Sequence, residues 1–400
     1  MSEFKNLPSG WRVVRLGEIG KIVNGLTYSP ENVSNNGLLV LRSSNINDNF
    51  IVLNNDDVYV KGISKFNKTL ENDILICVRN GSKNLIGKNA LITEKYKDLA
   101  FGAFMAIFRS NYNLFLIHIF KTNTFFKQVK NDLGATINSI NNSNLLNFKI
   151  PLPPLDEQEK IAEILSTWDE AINLTINLIE SKKQFKKAIM QNLLTAKIRF
   201  PEFQDEWREV TIGELFEFKK GQGLSKEMLD TNGKFECVLY GELYTTYDEI
   251  IENVKSRTNF QGSIKSKFDD ILIPSSTTTG SIDIAIASVI LKNDVLLGGD
   301  INILRKKRNN IYGEFVAYCI TNIKNKELSS YAQGTTIIHL YAKDFKGMKI
   351  KLPNLNEQQK IAEVLTACDD EINLLNLKLE NLKKQKQGLM QKLLSGKVRI

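Results

Sequence analysis

The residues able to do chemistry in this 400-residue chain are few and scattered. Its only histidines are His118 and His339, and its four cysteines, Cys77, Cys237, Cys319 and Cys368, form no CxxC pair. Neither a zinc site nor a disulfide framework is expected from them. Gly221-Gln-Gly223 continues as Leu-Ser-Lys, which departs from the dinucleotide fingerprint, and Gly87-Lys88 runs into Asn89 without the upstream glycine of a P-loop. No Asn-Pro-Pro or Asp-Pro-Pro stretch marks a methyl-transfer site. Glu180-x-Lys182 imitates part of a nuclease metal site, but on a long exposed helix such a pair is ordinary solvated surface. His118, within Leu-Phe-Leu-Ile-His-Ile-Phe, is expected to be a core or groove histidine rather than a general base. His339 has more polar neighbours, yet its counterpart in the internal repeat described next is Ser139, and no shared catalytic role tolerates that exchange. The expected chemistry is recognition, with no catalytic residue and no metal.

The elements that must position any recognition residues come in duplicate. Residues 151–200 recur at 351–400 in gapless register, Pro153 with Pro353, Ile161 with Ile361, Met190 with Met390 and Arg199 with Arg399. Such a repeat implies one rigid element used twice. Asp156 with Glu159, and Asn356 with Gln359, read as capping boxes that start a long helix. In the second copy Leu365, Cys368, Ile372, Leu375, Leu379, Leu382, Leu389 and Leu393 follow alternating three and four spacing, a coiled-coil seam broken at Lys386. The first copy carries it less purely, through Leu165, Trp168, Ile172, Thr175, Ile179, Ile189 and Leu193, with Lys182 and Lys186 as polar gaps. Acids crowd the first half of each helix and bases the second, which suits the helix dipole and also an antiparallel partner.

The repeat unit is larger than the helix. Trp11-Arg-Val-Val-Arg-Leu-Gly-Glu-Ile opens one globular region and Trp207-Arg-Glu-Val-Thr-Ile-Gly-Glu-Leu a second. Fainter matches follow, Val40-Leu41 with Val238-Leu239, Asp73-Ile-Leu-Ile with Asp270-Ile-Leu-Ile, and Phe108-Arg109 with Leu304-Arg305. Short β-rich runs alternate with Asn, Gly and Ser clusters and are followed by helical stretches near Leu114 to Lys130 and Tyr312 to Lys324. The predicted fold class is α+β, with domains at 1–150 and 201–350 and long helices within 151–200 and 351–400. The short Thr195 to Glu206 linker makes the second helix run back along the first, giving an antiparallel coiled coil with a pseudo-twofold cyclic arrangement.

With 42% hydrophobic and 24% charged residues the composition is that of an ordinary globular protein. The polar opening Met1-Ser-Glu-Phe-Lys-Asn shows no export signal, and the most apolar runs fall well short of the roughly 20 residues of a membrane span; a cytoplasmic protein is expected. A net charge of +8, from 53 Lys and Arg against 45 Asp and Glu, favours an anionic partner, nucleic acid above membrane.

Pro-Leu-Pro-Pro-Leu-Asp-Glu-Gln-Glu-Lys-Ile-Ala at 151–162, its variant at 351–362, Arg-Phe-Pro-Glu-Phe-Gln-Asp-Glu-Trp at 199–207 and Lys-Lys-Gly-Gln-Gly-Leu-Ser-Lys at 219–226 resemble the specificity subunit of type I restriction-modification systems. The resemblance spans essentially the whole chain in the family's order, departing at Asn354, where the motif has its second proline. It implies a DNA-binding subunit without chemistry of its own, whose two target-recognition domains each read half of a bipartite, asymmetric target. The helices would space them and dock two methyltransferase subunits carrying S-adenosylmethionine; two motor-nuclease subunits using ATP and Mg would join for cleavage. A coiled-coil adaptor with duplicated protein-binding domains, or a stand-alone DNA regulator, are the alternatives.

The expected reading surface lies on polar loops after the strands: Arg42, Ser43, Ser44, Asn45, Arg79, Asn80 and Lys83 in the first domain, and Lys219, Gln222, Tyr240, Glu242, Ser275, Ser276 and Thr277 in the second. Arg and Asn suit bidentate contact with guanine and adenine, although Ser, Asn and Gly are also plain turn formers. The cluster Arg305-Lys-Lys-Arg308 is expected to be a phosphate clamp or a solvated turn rather than a base reader.

Overall fold

The computed structural model describes residues 7–133 and 138–400; the polar opening Met1 to Asn6 lies outside them. The chain divides into two compact units, Met1–Ile176 with Lys378–Ile400, and Asn177–Leu377. Each therefore takes the first half of one long helix and the second half of the other.

In the first unit the central antiparallel sheet runs Lys21–Asn24, Met105–Arg109, Ile74–Cys77, Asn89–Leu91. The second repeats it as Phe216–Lys220, Ile301–Lys306, Asp270–Pro274, Ser288–Ile290, with Ile250–Ile251 added parallel at the edge. Ile74 to Cys77 and Ile271 to Ile273 are wholly buried, as unbroken apolar runs must be when both faces of a sheet are covered. Asn113–Ile119 and Gly313–Asn322 are the short helices packed on these cores. A smaller sheet accompanies each: Ala100–Phe101, Leu38–Leu41, Val58–Val60, Val33–Ser34 in the first unit, and Ser256–Thr258, Phe235–Val238, Leu296–Leu297 in the second.

Two of the faint sequence matches turn out to be a shared ion pair. Asp73 receives the Nε and Nη2 of Arg109 at 2.8 and 2.7 Å, and Asp270 takes the same two-pronged contact from Arg305. Lys306 pairs with Asp269 at 2.7 Å. This corrects the expectation for the 305–308 cluster, whose first two members are tied to carboxylates inside the fold.

Leu155–Leu193 and Leu355–Leu393 are helices of 39 residues each. Their caps lie two residues earlier than the capping boxes expected at Asp156 and Asn356. The Asn354 carboxamide oxygen accepts from the Glu357 N–H at 3.0 Å, while Pro154 stands at the matching place in the first copy. Gln158 and Gln358 turn back to donate to the carbonyls of Pro153 and Pro353, at 2.8 and 2.9 Å.

Glu157 and Glu357, almost fully buried, close each unit. Glu157 Oε2 accepts from the Trp11 indole at 3.0 Å and from Arg399 at 2.9 Å. Glu357 accepts from Trp207 at 3.2 Å and from Arg199 through two bonds of 2.8 Å. Opening strand, helix start and the tail beyond the other helix thus meet at one carboxylate in each unit.

Half-way along, Asp169 pairs with Lys386 and with Lys121 at 3.1 Å, and His118 Nδ1 lies 3.6 Å away. In the second unit Asp369 pairs with Lys186 and accepts from the Tyr318 hydroxyl at 2.7 Å, and Glu371 pairs with Lys182 at 2.8 Å. With Glu157 meeting Arg399 and Asp169 meeting Lys386, the helical segments of a unit run antiparallel. The seam residues Leu165, Ile172, Ile179, Leu193, Leu365, Ile372 and Leu393 are buried; Trp168, Cys368, Leu375, Leu379, Leu382 and Leu389 are half-buried. Lys182, Lys186 and Lys386 are therefore not gaps in the seam. Each carries an ion pair to the opposite helix.

Candidate nucleic-acid interface

The candidate loops of each unit hang on one frame of backbone hydrogen bonds. Leu26 N–H donates to the Phe101 carbonyl at 2.6 Å, as Gln222 N–H does to Leu297 at 3.1 Å. Gly102 N–H reaches the Leu41 carbonyl at 2.9 Å, and Gly298 N–H reaches Val238 at the same distance. Val78 donates to Phe104 at 3.0 Å, and Ser275 to Asp300 at 2.7 Å. The loops pass so closely that only glycine fits: a Cβ on Gly25 would lie 2.0 Å from the Gly102 carbonyl oxygen, and one on Gly221 would lie 1.9 Å from that of Gly298. This close approach accounts for the glycine of the Lys-Lys-Gly-Gln-Gly stretch.

In the first unit the frame brings the candidates together. Asn80 donates to the Ser43 hydroxyl at 3.1 Å, and its own carboxamide oxygen accepts from Ser82 N–H at 3.0 Å, tying the loop at 42–45 to that at 79–83. Asn45 is fully buried; its carboxamide accepts from Arg42 N–H at 2.9 Å and donates to the Val52 carbonyl and Asp57. Asn45 and Asn80 thus hold loop shape rather than offering a free reading edge. Arg42, Ser44, Arg79 and Lys83 remain exposed, with Ser43 half-buried.

The second unit departs further from expectation. Ser275, Ser276 and Thr277 are buried, because Ser276–Thr277 pairs as a strand with Ile338–His339. The Ser276 hydroxyl meets His339 Nδ1 at 3.0 Å, and the imidazole stacks on Tyr341 with ring centroids 5.7 Å apart. A polar run that reads as a loop is here the inner layer of a small sheet. Glu242 is spent locally, accepting from Leu239 N–H at 2.7 Å and from the Ser256 hydroxyl. Lys219 and Gln222 are exposed and Tyr240 is half-buried.

Arg79 lies opposite Ser139 as Ser276 lies opposite His339, so His339 holds the strand pairing that Ser139 holds in the first unit. The carbonyls that receive Val78 and Ser275 belong to Phe104 in one unit and Asp300 in the other. Phe104 is 57% exposed; Asp300 lies 3.6 Å from Lys220. Neither was among the sequence candidates. The signal that could have found them is the 196-residue offset of Phe108-Arg109 and Leu304-Arg305, which sets Phe104 against Asp300.

His118 is buried, 3.4 Å from the Ser166 hydroxyl, and burial pushes its pKa down to about 3. It is a neutral core residue as expected. Burial likewise lowers Lys386 to about 8, with Lys121 adding to the effect. No helix among the described residues is long and apolar enough to cross a membrane.

The family model for the type I restriction modification DNA specificity domain matches the chain twice, over residues 8–182 and 204–384. The chain is 29% identical, over 100% of its length and 96% of the relative's, to the MjaX type I restriction specificity subunit proposed for Methanocaldococcus jannaschii. It is 25% identical, over 98% of its length and 94% of the relative's, to the type I restriction enzyme MjaVIII specificity subunit of the same organism. In fold it is similar to the crystal structure of the type I restriction-modification S subunit from M. genitalium, with TM-score 0.63, 20% identity and 98% of each chain covered.

Proposed function

Because the chain belongs to the family of type I restriction-modification DNA specificity subunits, we propose that each of its two units reads one half of a bipartite, asymmetric DNA target. The observation that carries this reading is the pair of matching frames with unlike side chains, Arg79 against Ser276 and Phe104 against Asp300. A shared scaffold with exchanged tips suits two readers of different sequences. The net charge of +8 suits the phosphate backbone. Family membership decides against the adaptor and the stand-alone regulator.

The partners are DNA, two methyltransferase subunits that bring S-adenosylmethionine, and two motor-nuclease subunits that bring ATP and Mg. The long helices are the docking and spacing element, and the assembly acts on DNA in the cytoplasm. Methylome sequencing of cells with and without this chain, co-expressed with its modification partner, tests the reading. The expected result is one asymmetric methylated motif with an unread spacer, present only with the chain. DNA left unmethylated and unprotected by the complex would overturn it.

A further inference from the structure

Resting on the reading of the first unit as a DNA reader, we propose that Arg79 specifies a guanine in the half-site this unit recognises, with Phe104 holding the guanidinium ready. Among the other arginines of this unit, Arg109 is committed to Asp73, Arg15 to Asn147 and Arg399 to Glu157, while Arg42 is exposed on the loop tied to this one. Arg79 is exposed, and its side chain forms no hydrogen bond or ion pair among the described residues. Its guanidinium carbon lies 5.7 Å from the centroid of the exposed Phe104 ring.

The base of this pair is firm. Val78 and Arg79 both donate their N–H to the Phe104 carbonyl, at 3.0 and 3.1 Å, and Ile140 N–H donates to the Val78 carbonyl at 2.8 Å. A guanidinium lying over a ring has its plane oriented while its N–H edges stay in water, and here no carboxylate among the described residues pairs with them. Guanine O6 and N7 are the acceptors in the major groove that match this fork.

A phosphate contact would be needed by both readers alike, since backbone charge is independent of sequence. At the matching position the second unit has Ser276, buried under its neighbouring strand, with Asp300 in the place of Phe104. The cation is thus a property of one reader, which suits a contact that helps the two half-sites differ.

The test uses the full chain co-expressed with its modification partner, with methylome sequencing as readout. Arg79→Ala is expected to leave the spacer and second half-site unchanged and to relax one guanine position of the first, with discrimination there falling roughly five- to 100-fold. Phe104→Leu is expected to relax the same position less. Arg79→Lys keeps the charge without the planar fork, and is expected to relax that position while total binding is retained; it serves if the alanine variant fails to assemble. Uniform weakening at every site, with the slope of affinity against salt reduced by about one, would make Arg79 a phosphate contact and overturn the proposal. An unchanged motif in all three variants would overturn it too. A wild-type complex that methylates no motif would instead sink the underlying reading of the chain.

Discussion

At the scale of single residues, similar contacts in the two units differ in exposure, and that difference is measurable. Glu357 is 1% exposed and held by Arg199 through two short bonds, with the Arg199 side chain 23% exposed. Arg399, which serves Glu157, is 49% exposed. Arg199→Ala strands a buried carboxylate and should destabilise the second unit by about 3 kcal/mol, whereas Arg399→Ala should cost the first unit clearly less. Denaturant titration of both variants checks the order; equal losses would mean that exposure of the arginine does not decide the matter, since both acids are buried alike. A pH effect belongs to the first unit. His118 faces Lys121, Asp169, Lys386 and Ser166, and its pKa in the fold is about 3 against an ordinary 6.5. The unfolded chain therefore takes up a proton near pH 6.5 that the folded one refuses. Stability is fully present above that pH and falls as pH drops, by roughly 1.4 kcal/mol per unit. Asp169 is also held below its ordinary 3.8, by Lys121 and Lys386 against the cost of burial, so its own loss comes only at lower pH. Between pH 7 and 5 the unfolding midpoint should fall, and His118→Gln should flatten that slope; an unaltered slope would show the imidazole to be charged in the fold. The buried character of His118 was legible from its apolar neighbours. The burial of Ser275 to Thr277 was not, because a Ser-Ser-Thr run looks like a turn until the strand that covers it, more than 60 residues away, is known.

Among the elements, the long helices were the most legible, since a gapless repeat with heptad spacing leaves little choice of structure. What spacing could not show was the use of the lysines. Lys186 and Lys386 interrupt an apolar series in sequence, yet Asp369 and Asp169 reach them from the opposite helix, and such pairings between distant segments leave no local trace. These pairs also direct how the helices can be lengthened. A four-residue insertion after Ile176, matched by one after Asn376, falls between Asp169 and Lys186 on one helix and between Asp369 and Lys386 on the other. It adds about one turn, roughly 6 Å, to both and nearly preserves the phase of the seam. If the helices act as the spacer, both half-sites should persist while the unread gap grows by about one or two base pairs at roughly 3.4 Å each. Methylated-site mapping reads the outcome, and an unchanged gap would show that the helices do not set the distance.

The whole molecule repeats one plan, so a part of it should be able to reproduce the rest. A fragment of residues 1–199 lacks Lys378–Ile400, which complete the first unit. Its own helix carries the equivalents: Met190 for Met390, Leu193 and Leu194 for Leu393 and Leu394, Arg199 for Arg399. Two copies can exchange these segments, with Lys186 of each meeting Asp169 of the other as Lys386 does in the full chain. Lys186, which in sequence looks like a weakness in such a pair, becomes its cross-link, whereas Lys182 meets Ala171 where the full chain offers Glu371. The fragment should sediment as a dimer and, with its modification partner, select a palindrome of the first half-site; a monomer that keeps the asymmetric target would count against the shared plan. The same division of the chain also orders its birth. Residues 177–377 form one uninterrupted unit, whereas the unit begun first must wait for a stretch made after it, since Leu393 and Leu394 share a core with Ile161, Ala162 and Leu165. A premature stop codon after Leu377 would therefore spare the reader translated second and leave open the one translated first.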